Sequence, residues 1–230
     1  MFIFKAFRAV DNETMCLEFL EGHRNVLKEY GVTKVTSARK DWISNPNVYV
    51  IVVLDSESNK VVSGMRLHIA HEDYPLPMET AIAEVDKSIH EVVANYRKNT
   101  TGEIGGLWNS RSIAGYGIGI KYLIRCGIVI AEQLKMGTLL ALCAEHTLNS
   151  CLEKGFEIET AVGNSGKFNY PKIDLVATAT VIKDLVNLPL AIEEERTKVF
   201  CMRKNLISEA IESTSRGDMH VRYELEIKNI

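Results

Sequence analysis

The sequence has few prolines, few cysteines and no surplus of positive charge. Five prolines and five cysteines occur in 230 residues. The cysteine count is odd and no two cysteines form a C-x-x-C pair, so we expect buried free thiols in a reducing compartment and no zinc site. Because 27 Lys and Arg face 30 Asp and Glu, the chain lacks the basic field typical of nucleic-acid-binding proteins.

Long apolar runs are also missing. The longest, near 122–131, is interrupted by Arg125 and is too short to span a bilayer. Residues 1–13 become charged too early for a signal peptide. We therefore expect a cytoplasmic protein without membrane or nucleic-acid partners. An apolar fraction of 46% allows a sizeable core, and we expect one domain over 1–230 with 190–230 as a C-terminal extension.

Hydrophobic periodicity predicts a mixed α/β domain. A strand is predicted over 2–10, a helix over 11–30, and a hairpin from strands 47–54 and 61–70. The later predictions are, in chain order, a helix over 79–98, a strand over 103–109, a helix over 120–135, a strand over 138–144, a short helix over 148–154, strands over 156–161 and 175–183, a charged helix over 193–213 and a strand over 220–228.

The segment 103–156 carries the most informative pattern. Gly115, Gly117 and Gly119 separate a predicted strand from a predicted helix, where backbone N–H groups lack intrahelical partners and the helix dipole is positive. Such a group of amides binds phosphate oxygens. The run also suits a structural helix entry, or a dinucleotide loop with Glu145 as the ribose ligand. The third glycine comes too early for G-x-G-x-x-G, which weakens the dinucleotide alternative.

Two runs of sequence resemble a known family. E-I-G-G-L-W-N-S-R-S-I-A-G-Y-G-I-G-I-K-Y-L (103–123) resembles the central coenzyme-A motif of GNAT acyltransferases. L-L-A-L-C-A-E-H-T-L-N-S-C-L-E-K-G-F-E (139–157) is similar to the family's next strand and short helix. V-V-S-G-M-R-L-H (61–68) and W-N-S-R-S (108–112) look, more loosely, like segments of the related acyl-homoserine-lactone synthases. The resemblance implies an α/β (α+β) fold with a mixed, mostly antiparallel central sheet flanked by helices.

The resemblance also implies a cosubstrate and a reaction. Acetyl-CoA or another acyl-CoA would donate its acyl group, and an amine of a small-molecule acceptor would attack the thioester directly. Gly105-Gly106 would form a bulge that lets the ligand approach the strand. The positions expected to bind the cosubstrate are Leu107, Trp108, Asn109, Arg111, Ala114, Gly115, Tyr116, Gly117, Ile118 and Gly119.

Two positions depart from the family's pattern. Ala114 stands where the phosphate motif has Arg or Gln, so one side-chain contact to the pyrophosphate is missing. Leu152 stands where a tyrosine often serves as general acid, and Tyr170 is a candidate replacement. These departures favour a second hypothesis, a catalytically silent CoA-binding or scaffold protein. A nucleotide-binding oxidoreductase is a third, which stabilisation by NAD rather than CoA would reveal.

Four residues are candidates for chemistry or acceptor binding. Glu103 occupies the family's position for a general base acting through water, with a solvated strand-end carboxylate as the alternative. His146 follows a predicted buried strand and is either an acid or base, or a helix cap. Arg66 stands among apolar residues and needs a carboxylate partner, from the acceptor or from the protein. His68 lies on the same strand and either contacts the acceptor or is a polar strand residue.

Two further features concern cysteine chemistry and assembly. Cys143 and Cys151 lack an activating partner in the sequence, so we expect no cysteine nucleophile. The alternating segment 220–228 would either extend a partner's sheet in a homodimer or close its own sheet.

Overall fold

The computed structural model describes residues 1–29, 31, 39–170 and 175–228. The strands in these residues are β1 (Phe2–Arg8), β2 (Val48–Asp55), β3 (Lys60–Ile69), β4 (Gly102–Asn109), β5 (Leu139–Ala144), β6 (Glu157–Ile158), β7 (Lys167–Asn169), β8 (Val176–Ile182), β9 (Ile207–Thr214) and β10 (Gly217–Glu224). The α-helices are α1 (Glu13–Glu29), α2 (Pro77–Ile82), α3 (Ile89–Arg97), α4 (Ile124–Gln133), α5 (Glu145–Glu153) and α6 (Glu193–Lys204). Across the described residues, none of the helices combines the length and apolar character needed to cross a bilayer.

All of these strands belong to one sheet. Their order is β6-β8-β5-β4-β3-β2-β1-β10-β9, and β7 pairs with β8 at one end. The pairs β4/β5 and β1/β10 are parallel, and the remaining pairs are antiparallel. The predicted mixed, mostly antiparallel sheet is confirmed. It is not the parallel sheet that the dinucleotide alternative requires.

The sheet is covered on both faces. Strand β2 alternates between them, as a strand of period two must: Val50 packs with Phe19 of α1 on one face, whereas Ile51 packs with Ile128 of α4 on the other. We call these the α1 face and the α4 face. Helices α2 and α3 form a third apolar cluster with β5 and β8, in which Leu140 is buried. This double coverage explains why β2 is an uninterrupted apolar run.

Two predicted helices are shorter than expected. The helix predicted over 79–98 is two helices, because Asp86 accepts hydrogen bonds from the amides of Ser88 (2.9 Å) and Gly163 (2.6 Å) and fixes a turn between them. The helix predicted over 193–213 ends at Lys204, and the chain continues as β9. Strand β9 pairs with β10 along its whole length, from Ile207↔Glu224 to Thr214↔Gly217.

The segment 190–230, expected to be an extension, supplies α6, β9 and β10. Strand β10 pairs with β1 from Phe2↔Val221 to Lys5↔Glu224, so the alternating segment predicted over 220–228 closes its own sheet. Strand β9 then forms the sheet edge and leaves Ile207 and Ile211 exposed. The homodimer stays a prediction.

A buried ion network attaches this C-terminal segment to α4. Arg125 is fully buried and donates two hydrogen bonds to Glu195 of α6, at 3.0 and 2.9 Å. It also donates a hydrogen bond to Glu212 of β9 at 3.3 Å. Glu212 accepts a further hydrogen bond from the Tyr223 hydroxyl at 3.0 Å. Lys154 lies 3.9 Å from Glu195. Buried charges are tolerated when they are paired in this way.

Candidate active site

The central strands β4 and β5 separate part-way along their length. Among the described residues, their parallel pairing is confined to Glu103↔Leu140 and Ile104↔Ala141. Beyond these pairs, β4 continues against β3 and β5 continues against β8. Residues 105–107 are half-buried in a central strand whose neighbouring positions are buried. Backbone groups on this side of β4 are therefore available to a ligand that enters between the strands.

A bulge in β4 lies at the point where the two strands separate. Gly64 pairs with Trp108 and Arg66 pairs with Gly105, so two residues of β4 oppose one of β3. Gly106 adopts a left-handed φ of 62°. A Cβ there would lie 2.9 Å from the Nε and Nη2 atoms of Arg66, so glycine is what allows the guanidinium to lie across the strand. The bulge expected at Gly105-Gly106 is present.

The glycine-rich loop leads from β4 into the helix that contains α4. Gly117 is the residue before the helix and has a left-handed conformation, with φ 67° and ψ 15°. The first turns, Ile118–Leu123, are π-helical and continue into α4. The first backbone bond of this helix runs from the Lys121 amide to the Gly117 carbonyl at 2.9 Å. The amides of 117–120 consequently precede the helical hydrogen-bond ladder, as at other helix N-termini.

Fewer backbone amides are open to an anion than the predicted run 115–119 contains. The Tyr116 amide donates to the Ile113 carbonyl at 3.3 Å, so it is already engaged. Ile118 packs its side chain in the α4-face core. Gly119 is buried, and a Cβ there would lie only 2.5 Å from the Asn109 side chain. Gly117 is exposed, and a Cβ there would meet its nearest neighbour only at 4.0 Å. An anion would therefore approach at Gly117.

The side chains of 107–109 have three different surroundings. Leu107 is half-buried and packs against the α4-face core. Trp108 is buried on the α1 face with its ring 5.9 Å from that of Phe19, so this side chain belongs to the core. Asn109 accepts a hydrogen bond from the Ser63 hydroxyl at 2.7 Å. Contact of Trp108 with a ligand is thus restricted to its main chain, whereas Asn109 is half-buried.

The arginine predicted to reach a phosphate has another partner. Arg111 forms an ion pair with Glu29 of α1 at 2.8 Å, and its side chain is largely exposed. Ala114 is exposed beside it and carries no charge. A different cation lies against the glycine loop: the side chain of Arg216, from the turn between β9 and β10, would contact a Cβ at Gly115 at 3.1 to 3.4 Å.

A cavity opens on the α1 face where Arg66 and His68 lie side by side on β3. Its volume is about 270 Å³, which suits a small ligand. The lining residues are Arg39, Asp41, Trp42, Asn45, Arg66, His68, Asp73, Tyr74, Pro75, Pro77 and Thr80. Arg66 is buried, with its guanidinium carbon 4.5 Å from the centre of the Trp42 ring. Burial, and the charge of Arg66, hold the pKa of His68 well below its usual value, so this imidazole is neutral.

Glu103 lies next to this cavity, on the same face. It pairs with His68 across the strands and accepts a hydrogen bond from the Met78 amide at 2.8 Å. The residue is 4% exposed. Burial raises the pKa of Glu103 to about 8, with a smaller increase from Glu79, although the Met78 amide and Arg66 oppose the shift. A carboxyl group in this range can take up and release a proton near neutral pH.

Other candidates lie away from this group. His146 is exposed in the first turn of α5 and is not among the residues that line the cavity. Cys143 and Cys151 are buried with their sulfur atoms 3.2 Å apart, inside the α4-face core. Tyr170 packs against the α2–α3 cluster. The structure therefore brings together Arg66, His68 and Glu103, but not His146.

Three contributors to the site were not predicted from the sequence. Trp42 belongs to a single-turn 3-10 helix, Asp41–Ser44, and reaches Arg66 across the chain. Glu79 caps α2 by accepting from the Leu76 amide at 2.8 Å. Arg216 meets the loop that lies about a hundred residues earlier. Of the three, only Glu79, a capping carboxylate three residues after the N-cap Leu76, has a recognisable spacing.

The fold has counterparts among solved structures. No family model matches the sequence, and no curated protein is similar to it in sequence. FeeM, an N-acyl amino acid synthase from uncultured soil microbes, superposes with a TM-score of 0.62 over 84% of this chain and 96% of its own, at 10% identity. BjaI, a CoA-dependent acyl-homoserine lactone synthase, gives 0.53 over 89% and 90%, at 13% identity. An acyl-CoA N-acyltransferase from Pseudomonas aeruginosa gives 0.55 over 79% and 99%, at 12% identity. At identities this low, the superpositions establish a shared fold and nothing more.

Proposed function

We propose that this chain, whose fold is that of the GNAT acyltransferases, moves an acyl group from acyl-CoA to the amine of a small-molecule acceptor. The separation of β4 and β5 beside the open amides at Gly117 carries the proposal. The pantetheine arm would lie between the strands and bond the backbone of 105–109, while the pyrophosphate meets the helix N-terminus. The acyl-CoA is a cosubstrate that brings the activated thioester.

The buried carboxyl group supplies the second part of the proposal. An amine must lose a proton before or during its attack on a thioester, and Glu103 with its raised pKa is suited to accept it through a water molecule. Arg66 and His68 would orient the acceptor in the adjoining cavity. The leaving thiolate would need a proton donor, and Leu152 cannot be one. Release of free CoA thiol with amine acceptors separates this enzyme from a silent CoA-binding protein of the same fold.

Changing Gly117 to glutamate is expected to abolish CoA binding. The new carboxylate would stand where the pyrophosphate approaches, so like charges would repel at the positive end of the helix. We expect an affinity loss of about 100-fold or more, corresponding to roughly 3 kcal/mol. Isothermal titration calorimetry with CoA would measure it.

Gly31→Glu is a matched control for this variant. Gly31 has a φ of 65°, against 67° for Gly117, and a Cβ there would meet no atom of the described residues within 4 Å. Both substitutions therefore carry the same left-handed backbone cost of about 1 to 2 kcal/mol, but only one places a charge at the helix N-terminus. If both variants bound CoA as the wild type does, the placement of the pyrophosphate would be wrong.

The charges of the cavity suggest the class of acceptor. Four charged residues line it, namely Arg39, Arg66, Asp41 and Asp73. Arg39 and Asp41 pair with each other at 3.0 Å, so the other two charges are one cation, Arg66, and one carboxylate, Asp73. A balanced set of this kind is complementary to a zwitterion, and a guanidinium forks onto a carboxylate in bidentate fashion. We therefore extend the proposal to an amino-acid-like acceptor, whose carboxylate is bound by Arg66. The name of FeeM, an N-acyl amino acid synthase, agrees with this class.

Arg66→Lys is expected to raise KM for acceptors that carry a carboxylate by about tenfold, because a lysine cannot form the bidentate pair. Lysine keeps the positive charge near Glu103, so the base is perturbed little. Amino acids would be compared with the corresponding amines that lack the carboxylate, using thiol release as the readout. A KM increase of the same size for both classes would contradict the assignment, while leaving the acyl transfer itself intact.

A further inference from the structure

The turn between β9 and β10 is attached to the glycine-rich loop. The Ser215 hydroxyl donates to the Gly115 carbonyl, and the guanidinium carbon of Arg216 lies 5.4 Å from the centre of the Tyr116 ring. Gly115 has a φ of 87°, and a Cβ there would lie only 3.1 Å from the Nε atom of Arg216. The absence of a side chain at Gly115 therefore makes the room in which Arg216 lies.

The position of this turn is fixed from several directions. The Thr214 hydroxyl donates to the Gly217 carbonyl at 2.7 Å and accepts from the Arg216 amide at 3.1 Å. Just before the turn, the Ser213 carbonyl accepts a hydrogen bond from the Tyr122 hydroxyl at 2.8 Å. Tyr122 belongs to the π-helical segment that begins at Ile118. The turn is thus anchored both to the loop and to the helix whose N-terminus is open.

Arg216 has the free donors that the loop itself lacks. Arg111 is paired with Glu29 and Ala114 has no donor in its side chain. Within the described part of the chain, Arg216 forms no ion pair, and it is exposed. A guanidinium stacked on an aromatic ring keeps its edge N–H groups available for hydrogen bonds to an anion.

We propose that Arg216 contacts the pyrophosphate of the bound acyl-CoA and supplies the side-chain donor that is missing at Ala114. The inference rests on the proposed function, since it assumes that CoA binds at this loop. The C-terminal hairpin then contributes directly to the cosubstrate site. A guanidinium pairs with phosphate oxygens in bidentate fashion, which adds affinity to that of the main-chain amides.

Arg216→Gln tests this in the full-length chain, by calorimetry with CoA and with dephospho-CoA. We expect both affinities to fall by the same factor of about ten, and Arg216→Lys to lose less. Lys204→Gln, which removes one exposed positive charge at the end of α6, is expected to bind both compounds as the wild type does. A melting curve for each variant verifies that the chain remains folded.

Three results would count against the inference. Affinities of Arg216→Gln within twofold of the wild type would remove Arg216 from the site. A loss seen with CoA and not with dephospho-CoA would assign Arg216 to the 3′-phosphate instead. An equal loss in Lys204→Gln would mean that net charge, and not a contact, is responsible. If the wild type bound neither compound, the proposed function itself would fail, which is a distinguishable outcome.

Discussion

Glu103→Gln is expected to lower kcat and kcat/KM by about 10²- to 10⁴-fold, the range typical of a lost general base. Glutamine can still accept the hydrogen bond that the Met78 amide gives to Glu103 at 2.8 Å, so the local structure should persist. It cannot accept a proton. The affinity for CoA, measured by calorimetry, should change less than twofold, because Glu103 lies on the acceptor side.

The pH dependence of the wild type gives the same prediction a second readout. A base works in its ionised form, and burial raises the pKa of Glu103 to about 8. The value of kcat/KM should therefore rise with pH through a limb centred near 8, and Glu103→Gln should lack this limb. Glu79→Gln should move the limb to lower pH, since the charge of Glu79 contributes to the raised pKa of Glu103.

Stability provides the control for this variant. A folded-state pKa of about 8, against roughly 4.3 in the unfolded chain, means that the folded protein holds a proton that the unfolded chain releases. The free energy of unfolding then falls as pH rises from about 4.5 to about 8. In Glu103→Gln this fall in the free energy of unfolding should be absent, so the variant should be at least as stable as the wild type at pH 8. Full turnover in a folded variant would contradict the role of Glu103, and an unfolded variant would contradict the predicted stability.

Arg125→Met is expected to destabilise the fold by about 3 to 5 kcal/mol. The substitution fills much of the same volume but leaves Glu195 and Glu212 buried without the guanidinium that they share. Removing one partner of a buried ion pair has this cost because the remaining charge is desolvated, and Lys154, at 3.9 Å from Glu195, is too far away to replace the lost hydrogen bonds. For a chain of this size the melting temperature should fall by roughly 10 °C, as differential scanning calorimetry would measure.

Arg222→Met is the matched control, on strand β10. Arg222 also pairs with two carboxylates, Glu224 at 2.9 Å and Glu209 at 3.6 Å, but its side chain is 43% exposed. Exposed pairs contribute about 1 kcal/mol or less, so the melting temperature should shift by only a few degrees. Equal shifts in the two variants would mean that the buried network around Arg125 does not stabilise the chain more than a surface pair does.

Local patterns in the sequence predict the centre of this fold and miss its periphery. The β2–β3 hairpin, the strands β4 and β5 and the glycine entry to the helix all follow from apolar runs interrupted by turn residues. The break between α2 and α3 was missed because Asp86 fixes it through Gly163, which lies far along the chain. The sequence predicts most of strand β9 as part of the preceding charged helix, since the segment ISEAIEST is mostly polar and becomes a strand only by pairing with β10.

The residues of the candidate site were likewise predicted only in part. Glu103, Arg66 and His68 were predicted from one strand pair and a family resemblance, and the register of β3 and β4 brings them together. Arg111 and Trp108 were expected to meet a ligand, but long-range partners, Glu29 and Phe19, hold their side chains elsewhere. Arg216 could not be found from the sequence, since nothing near it in the chain indicates that it meets Gly115.

The pairing of β1 with β10 has a consequence for how the chain folds. Strand β1 lies between β2 and β10, so residues 2–5 have a complete set of backbone partners only when residues 221–224 are present. Contacts across such a sequence separation form late and slow the search for the native topology. During synthesis, an emerging chain that has not reached residue 217 would present β1 as an unprotected sheet edge, which is the kind of surface on which nascent chains associate wrongly or recruit chaperones.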